Sequence, residues 1–296
     1  MDMMNNAIRV DVDRTLIRAK RPCSDGYRWF LRRQAPTSDY QTLLDDLVAA
    51  GRVGDACWLL DQLGPTDEVL HVDNLAAEAL VFAGSIHCRG HVEVSGLLRT
   101  GGDLHVGGGA QVGGALQVGR ELKVEGGLRC EGVLDLGSGG RVGWSLEVLQ
   151  RLTCGGELRI GGALGAGEAV HVSGPLTVGG DVSVLGDLRC DAGLKLQGDL
   201  QAAGDAFIAR GLDAAGAIQC DGHLRAGWGV RACGDIRAAR AIRVGESLNA
   251  GGVIESGPDY GIFAGLEVPM GSWSSCAFVR AAQRPDRLMS GVWSDE

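Results

Sequence analysis

The stretch ALVFAG-SIHCRG-HVEVSG-LLRTGG-DLHVGG, residues 79–108, begins a series of thirty six-residue units that reaches Pro258 without one inserted or deleted residue. Leu, Ile or Val fills the second position in 27 of the 30 units, the exceptions being Ala110, Gly140 and Ala206, so a buried aliphatic ladder is implied. A smaller apolar residue takes the fourth position, while the third carries polar residues such as Arg99, His105, Gln111, Gln117, Lys123 and Arg129. Side chains alternate along a strand, which turns positions 2 and 4 toward a core and positions 1, 3 and 5 toward solvent. Glycine closes most units and lets the chain turn a corner without a side chain. Periodicity of this length is the signature of stacked coils.

Sorting the sixth position into three columns shows how many units close a coil. The column from Gly90 through Gly108, Gly126, Trp144 and Gly162 to Gly252 holds glycine nine times in ten, against six and four times in the other two. A period of 18 therefore overlies the period of six. The chain is predicted to be all-β, a three-sided parallel β-helix (β-solenoid) of about ten coils, roughly 48 Å long at about 4.8 Å per coil. The unit order L-x-V-x-G resembles that of the bactofilins, polymer-forming bacterial cytoskeletal proteins with a right-handed three-sided β-helix. In left-handed hexapeptide helices, such as those of acyltransferases, the small inward residue comes two positions before the aliphatic one rather than two after. The resemblance implies a right-handed coil.

Three segments follow: an N-terminal cap over 1–78, the hexapeptide-repeat solenoid over 79–258, and a C-terminal cap over 259–296. Residues 37–63 carry helical stripes, Leu43, Leu44, Leu47 and Val48, then Ala56, Leu59, Leu60 and Leu63. Two helices are expected, the first capped by Thr37 or Ser38 and ended by Gly51, the second stopped by Gly64-Pro65. Their stripes need a surface, and the first coil offers one. Upstream, a strand around Ile8–Val12 and a short helix around Gly26–Arg33 are expected. Past Pro258 the large apolar residues Phe263, Trp273, Phe278 and Trp293 indicate a closing cap. Folded elements at both ends would shield strand edges that otherwise invite stacking.

The net charge of −9 is unevenly spread, with one basic against nine acidic side chains in residues 37–78. An acidic chain is poorly suited to nucleic acid, because phosphate neutralisation needs a basic face; it suits a basic protein partner. The first twenty residues have no apolar run of the length that a signal peptide or membrane span requires, so a cytoplasmic location without membrane contact is expected. Among nine cysteines no CxxC occurs, and Cys88, Cys130, Cys154, Cys190 and Cys220 all take the fourth position, which marks them as small core residues.

No catalytic constellation emerges. An acyltransferase of the hexapeptide type would need a loop thrown out of the solenoid to build a cleft, and no unit carries an insertion. His87 and His105 share one outward site a coil apart, but without a carboxylate or cysteine in that column they do not make a metal centre. The glycine-rich run GGDLHVGGGAQVGG is repeat and lacks the strand-to-helix context of a phosphate loop. The expectation is a non-enzymatic protein with no cofactor and no metal. One column stands out: the third position of the second side reads His87, His105, Lys123, Arg141, Arg159, Thr177, Lys195, Asp213, Arg231, Asn249. Candidate partner-binding residues are its cations Lys123, Arg141, Arg159, Lys195 and Arg231, joined by Trp144 and Trp228, which replace corner residues. Exposed tryptophan is enriched at interface hot spots.

The plan as a whole resembles a second group. A leading C-x2-G-x2-W segment (Cys23, Gly26, Trp29), a helical stretch with Gly51, Arg52, Ala56, Trp58, Leu59 and Leu60, a β-solenoid and a closing GIFAGL…RP…L-x-SGxW look like a group of bacterial proteins that includes immunity proteins of polymorphic toxin systems. What this resemblance implies is a cytoplasmic protein, a monomer or small oligomer, that binds and neutralises a cognate toxin. It carries over no functional residue. The alternative is a bactofilin-like scaffold that self-assembles, and less favoured still is an acyltransferase-like enzyme.

Overall fold

The computed structural model describes residues 11–32 and 37–294. From Leu80 to Glu255 a short strand recurs at every hexapeptide unit. Each strand between the ends of its sheet pairs in parallel with the strand three units before it and the strand three units after, as Leu122 does with Leu104 and Gly140. Three sheets result: a first of 12 strands containing Leu80–Phe82, a second of 13 containing Ser85–Cys88, and a third of 11 containing Val92–Val94. The rod has about twelve turns, somewhat more than the ten that the regular register encodes. The excess lies at the ends. Strands Val69–Val72 and Leu75–Ala77 form an earlier turn, in which Val69 faces Ser85 and Leu75 faces Val92. Beyond Glu255 the sheets continue with irregular loops, pairing Ile262 with Ile242, Val279 with Leu248 and Leu288 with Ile262.

The second and fourth positions are buried from Phe82 to Ile254, as in Leu122–Val124, where only Lys123 reaches solvent. Each fully buried aliphatic side chain contributes about 1.5–3 kcal/mol, which opposes the entropy of ordering the chain alongside the backbone hydrogen bonds between coils. Where Gly140 interrupts it, Leu136 and Leu158 fill the gap: a Cβ there would meet their Cδ1 atoms at 2.8 and 3.1 Å. The five fourth-position cysteines are buried in the same ladder, and burial pushes the thiols of Cys190 and Cys220 up to about 12.

The corner glycines have a different cause from the one the sequence suggests. Positive φ is confined to Gly51, Gly64, Gly265 and Gly291 among the described glycines, all outside the regular coils. Close stacking is the reason instead. A Cβ on Gly161 would sit 2.0 Å from Gly143 O, and one on Gly252 would sit 1.9 Å from Asp235 Oδ1. That carboxylate accepts the Val253 N–H of the next coil at 2.8 Å. Asp181, Asp187, Asp199 and Asp205 do the same one coil up, at 2.7–2.8 Å.

Among the described residues four helices precede the rod: α1 (Arg14–Ala19), α2 (Ser24–Arg32), α3 (Tyr40–Ala49) and α4 (Val53–Leu63). Thr37 and Ser38 do not cap α3. They lie in a strand, Thr37–Asp39, antiparallel to Asp11–Asp13, and the cap is Asp39, whose carboxylate accepts the Thr42 N–H at 3.2 Å. Of the strand expected at Ile8–Val12, only its last two residues fall within the described range, and Arg33 of the expected short helix lies outside it. At the end of α3, Gly51 (φ 71°) donates to Val48 O and Arg52 to Leu47 O, the paired bonds of a Schellman turn.

The helices pack on the outer wall of the first sheet. Leu43, Leu44, Leu47, Leu59 and Leu60 enclose Val81 and Ala83, outward residues of the first strand that are apolar for this reason. Gln41 reaches the open edge of that strand, accepting the Ala83 N–H at 2.9 Å and donating to Val81 O at 3.0 Å. One amide side chain thus occupies the bonds that a further strand would make. Arg99, the outward residue of the next coil, donates to Cys57 O at 3.3 Å and pairs with Asp61.

Candidate functional site

The outer wall of the second sheet divides into two halves. In the N-terminal half two of the three cations are paired within the column's own neighbours: Lys123 Nζ lies 2.7 Å from Glu125 and Arg159 Nε 2.6 Å from Glu157. Lys123, hydrogen-bonded to Glu125, holds that carboxyl below its usual range, and Glu157 raises Arg159. At the first coils His87 stacks on His105 with ring centres 4.6 Å apart and meets His71 edge-on at 5.1 Å. Burial, then the two neighbouring imidazoles, lower the pKa of His87.

The C-terminal half is built differently. The first position, acidic at Glu121 and Glu157, becomes Gly193, Gly211 and Gly229, and the loss of three side chains opens a groove of about 570 Å³. Stacking does not require glycine at the first two: a Cβ on Gly193 or Gly211 would meet only the carbonyl of the next coil, at 3.5 Å in each case. Along one wall run Lys195, Asp213 and Arg231, paired residue to residue on consecutive strands. On the other, at the corner shared with the first sheet, the Arg210 guanidinium lies 5.5 Å from the ring centre of Trp228, which is 51% exposed. Phe278, from the strand beside Leu248–Ala250, lines the far end. Among the described residues Lys195, Arg210 and Arg231 form no ion pair.

Three of the seven candidates, Lys195, Trp228 and Arg231, therefore converge in one site. Lys123 and Arg159 are held by their own glutamates. Arg141 is exposed and makes no ion pair, and Trp144, 71% exposed, stands at the opposite corner, between the second and third sheets, outside the groove. Sequence reasoning missed Arg210, although it sits one coil before Trp228 in the same corner column, and Phe278, which belongs to an irregular coil. It also missed Phe207 on the first sheet, clasped between Arg189 and Arg225 at 4.9 and 5.7 Å.

A similar trough on the third sheet, about 420 Å³ over Gly109 and Gly127, has its cation Arg129 already bound to Glu147 at 2.6 Å. What sets the second-sheet groove apart is unpaired positive charge beside exposed aromatic surface. No helix among the described residues is long and apolar enough to cross a membrane. No curated protein and no solved structure matches the chain. A family model described as the YdhT N-terminal domain matches residues 3–63, a segment that ends with α4, and so the helical module, not the rod, is the part of this chain similar to a described family.

Proposed function

We propose that this chain is a non-enzymatic protein-binding module, and most specifically a cytoplasmic immunity protein that neutralises a bacterial toxin by occupying its working surface. The observation that carries this reading is the second-sheet groove, where three cations without an ion pair line the walls together with exposed Trp228 and half-buried Phe278. A rigid rod presents such a surface with little entropy left to lose on binding. Neutralisation needs no chemistry from this chain, only tight coverage of the toxin's active cleft. The test is co-expression with a toxin encoded beside this gene: growth is restored and the two proteins co-purify. Survival of cells carrying the toxin alone, or failure of the pair to form a complex, would sink the reading.

A second reading, a self-assembling scaffold of the bactofilin kind, draws support from Val69–Val72 and Leu75–Ala77, each of which, among the described residues, pairs on one side only. Gln41 opposes it at the third edge. Size-exclusion chromatography and negative-stain microscopy separate the two, since filaments at micromolar concentration would reverse the ranking.

A further inference from the structure

We infer that the second-sheet groove receives an extended segment of a partner polypeptide, laid along the rod axis, with carboxylates toward Lys195 and Arg231 and an apolar side chain against Trp228. This rests on the protein-binding reading and specifies what the groove takes.

The bare floor is the first argument. Corner glycines exist because a Cβ would strike the coil below, whereas Gly193 and Gly211 have room for one. Farther up the rod the same position carries Ser85, Asp103, Glu121 and Glu157, and its one glycine there, Gly139, has no such room, since a Cβ would meet Glu157 O at 2.7 Å. Glycine here leaves space above the sheet. From Pro175 to Ser247 the trough crosses five strands, or about 19 Å, the span of about five to six extended residues.

Charge is the second. Lys195, Arg210 and Arg231 face a single carboxylate, Asp213, and none forms an ion pair. The surplus calls for an anionic occupant, and the two walls say how its charges are arranged. In an extended chain successive side chains point to opposite sides, so alternate acidic residues, about 6.8 Å apart, would face the Lys195–Arg231 wall while the residue between them meets Arg210 and Trp228. Lys195 and Arg231 lie two strands apart, about 9.6 Å, and their flexible stems close that difference. The occupant runs across the strands, so it cannot add to a sheet edge; recognition is by side chains alone. An alternating acidic–apolar segment meets all of these conditions.

The experiment measures anisotropy of a peptide labelled at its N-terminus, fluoresceinyl-β-alanyl-Ser-Glu-Phe-Glu-Val-Ser-amide, titrated with the full chain at low salt and at about 0.3 M salt. Saturable binding is expected, weakened about tenfold or more by Lys195→Glu with Arg231→Glu, by Gly211→Leu, by Gln in place of both peptide Glu residues, and by salt. Lys123→Gln, outside the groove, should change it less than about twofold. A Cβ at position 211 meets only Gly229 O, at 3.5 Å, and unchanged circular dichroism and melting verify the fold of Gly211→Leu. Absence of saturable binding would overturn the proposal. Equal affinity for the Gln peptide, indifference to Gly211→Leu, or tighter binding of a uronic-acid oligosaccharide or a single-stranded oligonucleotide would do so too. A toxin neutralised as well by the Gly211→Leu protein as by the native one would sink the groove and leave the immunity reading standing. Peptide binding without neutralisation would do the reverse.

Discussion

Gly252 has no room for a single methyl group, because the carboxylate of Asp235 occupies the place where its Cβ would stand. Gly252→Ala should lower stability by about 1–3 kcal/mol, the usual cost of overpacking, and adding Asp235→Ala should recover part of it; urea denaturation of the two variants measures both. The Val253 N–H and Arg237 hold the Asp235 carboxyl below its usual pKa. A depressed acid contributes stability that is present above the unfolded-state value and lost as pH falls through the folded one, so Asp235→Asn should flatten the acid side of the melting profile. His87 gives the same slope in a different window. Its folded pKa is lowered from 6.5, so the unfolded chain binds the proton more readily, and stability should fall as pH drops below about 6.5. His87→Gln should remove that component, read as melting temperature on either side of that pH. Glycine at the corners was legible in the sequence, but its reason was not, since the colliding carboxylate belongs to the preceding coil. Arg210 was hidden in the same manner, one coil from its tryptophan.

The helices α3 and α4 were legible from their leucine stripes, and Gly51 ends the first as expected. The cap was misplaced because Thr37 and Ser38 are drawn into a strand with Asp11–Asp13, a long-range pairing that no local pattern announces. Where the helices dock was written in the chain as Val81, apolar where Arg99, Gln117 and Asp135 follow in the same column. Two side chains hold the dock. Gln41→Ala leaves Val81 O and the Ala83 N–H without partners and should cost about 1–3 kcal/mol. Arg99→Ala removes the donor to Cys57 O and the partner of Asp61 and should loosen α4 in particular. Hydrogen exchange distinguishes these outcomes: faster exchange confined to the helices and the first coil is expected, and uniform loss across the rod would show that the dock is not a local unit. The closing coils were legible only as large apolar residues, because their strands abandon the regular spacing: Ile262 reaches back to Ile242 and Val279, across a longer loop, to Leu248.

Along the rod each coil touches only its neighbours, so stability is close to a sum of repeating interfaces. Removing one whole coil from the regular stretch, positions 139–156 for instance, should leave a folded rod one turn shorter. Removing a single hexapeptide unit should not, because every side chain beyond the cut would move to the next sheet and each charge and corner glycine would meet the wrong partner. Thermal melts and circular dichroism of the two deletions decide this, and a well-folded protein lacking one unit would refute it. The same invariance makes the rod a ruler. The helical module is fixed at the first coil and the groove starts near Pro175, so the gap between them can change only in steps of one coil, about 4.8 Å, always with the groove returned to the same compass bearing. A partner that grips both places would read that gap as a number of notches.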